Sequence, residues 1–404
     1  MYNECISQKK CEQEDAMGRF LNPGNEAFSE VIHSEIYVDK TPLLEYTNRV
    51  ISTTSKFICS SRPRRFGKSI TAEMLSAYYS KGSDSRELFA DYAIHKAESF
   101  EKHLNQYDVI HFDVQWCMMD AGNADCVVEY INHGILQELK EKYGELIPDT
   151  VKTAYGAMSY IKAASGNKFV VIIDEWDVLI RDEAQNHKVQ EEYIDFLRGM
   201  FKGSEPSKYI ALAYLTGILP IKKLKTQSAL NNFEEFTMLD AGRMAPYVGF
   251  TEEEVHDLCD RYGQIYEQVK LWYDGYSLEG YQVYNPKAVV SLMLNGKYKS
   301  YWSNTGSYEA IVPLINMNFD GLRAAIIEMM SGAAVDVDVT SFQNDTVSFA
   351  NRDDVLTYLI HLGYLAYDQD REQVFIPNEE IRHELNNAVK RNKWNEMITF
   401  QKES

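Results

Sequence analysis

Gly67-Lys68-Ser69 closes the stretch SRPRRFGKS at residues 61–69. These residue types, in that order, can bind a polyphosphate. A glycine lets backbone N–H groups close on anionic oxygens, a lysine reaches the terminal phosphates, and a serine offers its hydroxyl to a divalent cation. The general loop is G-x-x-x-x-G-K-[ST], and its first glycine falls at position 62, where Arg62 stands instead. Pro63 offsets part of the lost freedom by fixing the turn. Arg62, Arg64 and Arg65 bring positive charge, and Phe66 and Ile70 flank the tripeptide. The same residues also read as a basic surface turn ahead of an ordinary helix, and the tripeptide alone does not choose.

A second stretch, VVIIDEWD at Val170–Asp177, delivers Asp174 and Glu175 at the end of four apolar residues. A carboxylate there can hold magnesium through water, and its neighbour can orient or deprotonate an attacking water. This is the Walker B arrangement. The competing reading is an Asp that caps a helix after a strand. A third stretch, YIALAYLTG at 209–217, ends an apolar run on Thr216, a polar group that can sense a terminal phosphate. Any strand end can carry a threonine, so its weight comes from following the other two at plausible spacing.

Such groups must be positioned by strands that end on one edge of a sheet. The apolar runs 56–60, 109–114, 169–173 and 209–215 predict four strands. Helical spacing predicts helices over 69–80, 127–143 and 191–201. Alternation of the two predicts a parallel sheet with helices on both faces, and such sheets bind ligands at the C-terminal strand edge. Beyond residue 240 the pattern changes. Thr251 and Glu254 form a capping-box pattern, WYDG and YNP read as turns, and residues 353 onward read as helix, hairpin, helix. Divisions are expected near 20, 240 and 340: a flexible N-terminus (1–20), a core (21–240), a helical lid region (241–340) and a winged-helix-like module (341–404).

Composition is that of a globular protein, with 45% hydrophobic residues and a net charge of -19. That charge argues against a surface that coats nucleic acid. The first residues lack the apolar core of a signal peptide, and no apolar run is long enough for a bilayer, so no membrane partner is expected. Six cysteines without a C-x-x-C pair suit reduced thiols in a cytoplasm.

The sequence resembles the bacterial and archaeal AAA-ATPase-like family, whose members often carry a PD-(D/E)XK nuclease domain at the C-terminus. The matching stretches are YVDKT (37–41), SRPRRFGKS, IIDEWD (172–177), LTGILPI (215–221), NNFEEFT (231–237), GFTEEEV (249–255), WYDGY (272–276), VYNP (283–286) and IPNEEIR (376–382). R-P-R-R-F-G-K-S is the usual form in that family. The resemblance implies an α/β fold with a P-loop NTPase core, ATP as ligand, Mg2+ as cofactor and a lid. The expected nucleotide-binding residues are Arg62 to Ile70. Ser69 and Asp174 are expected on the metal, with Lys68, Glu175 and Thr216 catalytic. It makes Tyr37, Asp39 and Lys40 candidates for the adenine pocket, although a helix start capped by Asp39 accounts for them as well.

Longer members of the family continue past IPNEEIR into the nuclease, and residue 404 leaves too little chain for that fold. The one E-x-K, Glu138-Leu139-Lys140, falls in a predicted helix and reads as a surface face. Nuclease chemistry is therefore not expected. An arginine finger would come from Arg181, Arg198 or Arg243, in a homo-oligomer if supplied in trans. Lys390, Arg391 and Lys393 invite a DNA-facing reading, set against Glu379, Glu380 and Glu384 on the same helix. Two functions stay open: an ATPase, and a nucleotide-gated module controlling a DNA or protein partner without useful hydrolysis.

Overall fold

The computed structural model describes residues 18–221, 230–302, 307–317, 319–344 and 349–391. The expectation of a flexible N-terminus falls mostly on residues outside these. Residues 18–21 are pinned: Glu138 accepts the backbone N–H groups of Arg19, Phe20 and Leu21 at 2.7–3.0 Å. The E-x-K glutamate thus ties down residues 19–21 and is no idle surface charge.

Five parallel strands form the central sheet: β1 (Phe57–Ser61), β2 (Asp108–Asp113), β3 (Phe169–Asp174), β4 (Ile210–Gly217) and β5 (Glu234–Phe236), in the spatial order β2-β3-β4-β1-β5. β1, β3 and β4 are buried along their whole length. Near-continuous apolar runs are what a parallel strand under helices requires. The Lys68–Tyr79 helix packs back across β2, β3 and β4. The strand predictions hold to within a residue or two at each end. The Ala154–Ser165 helix and β5 add to them.

Strand β4 lies between the strand feeding the loop and the strand carrying the acids. Ser60 pairs with Thr216, and Ile173 with Leu215. Loop, acids and threonine therefore leave the same sheet edge side by side.

After the sheet, β6 (Phe250–Thr251), β7 (Tyr276–Leu278) and β8 (Tyr281–Tyr284) form a small antiparallel sheet in the order β6-β8-β7. Thr251 and Glu254 make both bonds of a capping box on the Glu252–Tyr262 helix. YNP is more than a turn: Asn285 caps the Pro286–Asn295 helix, with Pro286 at its first position. These elements share a core of their own, including Val255, Leu258, Tyr273 and Leu292. The C-terminal segment has the Arg352–His361 helix, the hairpin β10 (Ala366–Asp368) and β11 (Gln373–Phe375), and the Glu379–Arg391 helix. A third strand, β9 (Val335–Asp336), pairs with β11 and lies before residue 341. Val355, Leu359, Val374 and Leu385 belong to the same continuous core as the main sheet.

Candidate nucleotide site

Gly67 caps the Lys68–Tyr79 helix with φ 89°, in the left-handed region. A Cβ there would meet nothing within 4 Å, so the backbone angle and not space calls for glycine. The helix start behind it points its free N–H groups outward, where an anion is favoured. Arg64, Arg65, Phe66, Gly67, Lys68, Ser69 and Ile70 all line one cavity of about 1060 Å3. Residues from 31–40 and from the Pro286–Asn295 helix also line it, as do Lys299 and Tyr301.

Lys68 is 5% exposed. Its Nζ donates to the Pro63 carbonyl at 3.2 Å and lies 3.6 Å from Glu175 Oε1. Asp174 is 3% exposed, and its Oδ1 accepts the Glu175 N–H at 2.9 Å. Burial pushes the Asp174 carboxyl up to about 6, against the pull of Ser69. Glu175 moves the other way: burial raises it, but Lys68, Arg181 and Arg64 together hold it below the ordinary carboxylate range. Neighbouring carboxylates with opposed shifts can divide cation binding and base chemistry between them. Glu175 also has φ 49°, an unusual angle for a side-chain-bearing residue, and such strain gathers at functional sites. Thr216 is 1% exposed, and its hydroxyl has no partner.

Arg62 does not reach the cavity. It is fully buried, and its Nη1 donates to the carbonyls of Ser61 at 3.0 Å and Thr237 at 2.9 Å. Burial lowers its guanidinium to about 10. Pro63 faces the C-terminal segment, where a Cβ on Gly363 would come within 2.8 Å of its ring. Arg65 donates to the Tyr301 carbonyl, and Phe66 packs edge-on to Tyr276 at 5.5 Å. The loop is thus gripped from behind by the segments that follow the sheet.

Of the other candidates, Tyr37 and Lys40 line the cavity. Lys40 is engaged by Glu254 at 2.6 Å and the Pro246 carbonyl at 2.8 Å. Asp39 accepts from the Thr41 and Ala93 N–H groups, so it fastens the start of the Pro42–Val50 helix. Arg198 pairs with Asp195 at the surface, and Arg243 is exposed. Arg181 turns inward to Glu175 and Asp177. Glu380 and Glu384 are buried, so they do not neutralise the outer face of the last helix as the sequence reading assumed, and Lys393 lies outside the described residues.

Sequence reasoning missed Glu73 and Asp113. Burial first, and then Asp174 and Asp113, push Glu73 up to about 7. Asp113 ends β2 opposite Asp174. Both carried a signal: Glu73 sits four residues after Ser69 on one helix face, and Asp113 ends a strand on the same edge.

Among the described residues no helix is long and apolar enough to cross a membrane. Residues 23–226 match the model of a family described as predicted AAA-ATPase. A protein of Azotobacter chroococcum mcd 1, named "Uncharacterized protein in vnfD 5'region", is 25% identical over 373 residues. That covers 87% of this chain and 66% of the relative, so the chain spans just under two thirds of its length. The ORC2 protein of Aeropyrum pernix, solved as ADPNP–ADP complexes, overlaps with a TM-score of 0.39 at 10% identity, over 89% of this chain and 97% of that one. Cdc6p of Pyrobaculum aerophilum gives 0.28 at 9%, over 91% and 98%. The fold assignment rests on the strand order above and not on these overlaps.

Proposed function

The chain belongs to the predicted AAA-ATPase family, and on that premise we propose that it binds ATP in the cavity beside residues 64–70 and hydrolyses it with Mg2+. The observation that carries this reading is the approach of Lys68 to Glu175, 3.6 Å apart at one sheet edge although β4 separates the strands they follow. In this scheme Lys68 leaves the Pro63 carbonyl and Glu175 for the β- and γ-phosphates, while the helix N-terminus receives their charge. Thr216, whose hydroxyl is unpartnered, donates to the γ-phosphate. Glu175, kept ionised by its cationic neighbours, orients the water that attacks the γ-phosphorus, and ADP departs.

The donors fit a hard cation. Ser69 and Asp174 offer oxygen ligands, and the buried Asp174 charge would be stabilised by a cation. Among the described residues no group of three or more His, Cys, Asp or Glu is arranged for a metal. That accords with magnesium, which takes few protein ligands and shares its shell with phosphates and water. When bound, the cation neutralises charge on the transferring phosphoryl group.

The test is nucleotide binding and phosphate release for the native chain, Lys68→Ala and Glu175→Gln. Loss of binding in the first and of release alone in the second are expected. Equal phosphate release in the native chain and Glu175→Gln removes Glu175 from its role. A homo-oligomer presenting Arg198 or Arg243 to a neighbour is part of the proposal, checked by the dependence of release on protein concentration. The buried thiols of Cys59, Cys117 and Cys259 suit a cytoplasmic setting.

One observation favours the second reading, a nucleotide-gated module. The loop touches the C-terminal segments through Pro63, Arg65 and Phe66, so filling the site bears directly on them. Nucleotide-dependent association with DNA or an effector, in the absence of phosphate release, would favour that module over the enzyme.

A further inference from the structure

The scheme above uses Arg181 only as one of the charges that keep Glu175 ionised, yet its side chain is only 5% exposed and faces three carboxylates. Its Nη2 donates to Glu175 Oε2 at 3.0 Å, its Nε to Asp177 Oδ2 at 3.0 Å, and its Nη1 lies 3.7 Å from Asp182. A solvated charge, or a finger offered to another subunit, would point outward.

Asp177 is anchored in turn. It is fully buried, and its Oδ2 also accepts the N–H groups of Ile218 at 3.1 Å and Leu219 at 2.8 Å, just beyond Thr216. Gly217 leaves room for this, since a Cβ there would lie 2.6 Å from Asp177 Oδ1. A planar guanidinium therefore links the end of β4 to the carboxylate at the end of β3, and a rigid fork of that kind fixes direction as well as distance.

Glu175 needs such a fixture. Its left-handed backbone angle takes it off the alternation of β3, and its two oxygens face two cations, Lys68 on one side and Arg181 on the other. We propose that Arg181 is the positioning residue for Glu175: it retains one carboxylate oxygen so that the other stays aimed at the attacking water when Lys68 turns to the phosphates. This rests on the ATPase reading. Without Arg181 the carboxylate swings onto Lys68 and competes with the phosphates for it.

The experiment is a double-mutant cycle of Arg181→Ala and Glu175→Gln. It is read by affinity for a non-hydrolysable ATP analogue and by kcat and KM for phosphate release. Arg181→Ala is expected to weaken analogue binding about three- to tenfold and to lower kcat about ten- to a hundredfold. In the Glu175→Gln background the loss of affinity disappears. An equal loss in both backgrounds, or none in either, overturns the proposal. Where Arg181→Ala does not fold, because Asp177 is left buried and unpaired, Arg181→Lys replaces it. Its single ammonium holds Asp177 without spanning to Glu175, and the same cycle applies. A native chain that binds the analogue but releases no phosphate refutes hydrolysis alone, and the affinity cycle still decides the role of Arg181. A native chain that binds no nucleotide removes the ATP reading and this proposal together.

Discussion

Replacing Glu380 by Gln should remove a pH dependence from the stability of the fold. Glu380 is 2% exposed, on the helix that ends the described chain. Its Oε1 accepts the N–H groups of Tyr301 at 2.6 Å and Trp302 at 3.0 Å. Burial raises its carboxyl from 4.5 to about 7, against those two donors; Glu384 adds to the rise and Arg65 opposes it. The folded chain therefore keeps a proton that the unfolded chain loses near its ordinary value. Stability from this group is complete below that value and is lost as pH rises through about 7. At about 1.4 kcal/mol per pH unit the whole effect is about 3 kcal/mol, and about 2.5 kcal/mol of it falls between about pH 5 and about pH 8. Glutamine offers the same acceptor without the proton. Urea unfolding of both proteins at the two pH values gives the difference directly, and other titrating groups cancel. The native chain should lose about 2.5 kcal/mol relative to Glu380→Gln on going to the higher pH. A difference that stays constant, or grows the other way, refutes a carboxyl held protonated by burial.

Phe66→Ala should cost about 3 kcal/mol or more, because the ring is 1% exposed against Tyr276; calorimetry gives the cost and nucleotide titration shows whether the loop loosens with it. Thr216→Val should leave stability unchanged or raise it by up to about 1 kcal/mol, since it removes a buried hydroxyl without a partner. The same variant should lower phosphate release about tenfold or more, as expected for a lost transition-state donor. Arg62→Ala should lose about 1–3 kcal/mol as the carbonyls of Ser61 and Thr237, both held by Nη1 alone, lose their donor. Its nucleotide affinity should hardly change, and a large fall in affinity at unchanged stability would return Arg62 to the phosphates.

The main strands were legible because burial on both sides writes itself into composition: β1, β3 and β4 are apolar almost throughout. β5 was not, because two of its three residues are glutamates and only its place beside β1 makes it a strand. The Ala154–Ser165 and Pro286–Asn295 helices were missed for another reason. Thr153 and Gly166, and Asn285 and Gly296, are caps at the two ends of helices, yet Asn-Pro and Gly also punctuate turns. The ambiguity belongs to the residues, and packing resolves it.

At the site, Lys68, Ser69, Asp174 and Glu175 were legible as types because strand ends on one edge bring them together. Direction was not. Arg181 and Arg62 looked alike in sequence, as cations near a polyphosphate, and both turn inward for different reasons. Arg181 follows Asp177 by one helical turn, a spacing that pairs opposite charges on one face. Arg62 follows from the strand. Its N–H still bonds the Gly217 carbonyl at 3.0 Å, so β1 continues one residue past Ser61. By the two-residue alternation of a strand, Arg62 shares its face with Ile58 and Ser60, and from there it bonds the Thr237 carbonyl just beyond β5. Position 62 is thus the last rung of the sheet and not the first turn of the loop. That is why an arginine can stand where the general motif has glycine: the turn begins at Pro63, and the left-handed angles it needs fall on Arg65 and Gly67.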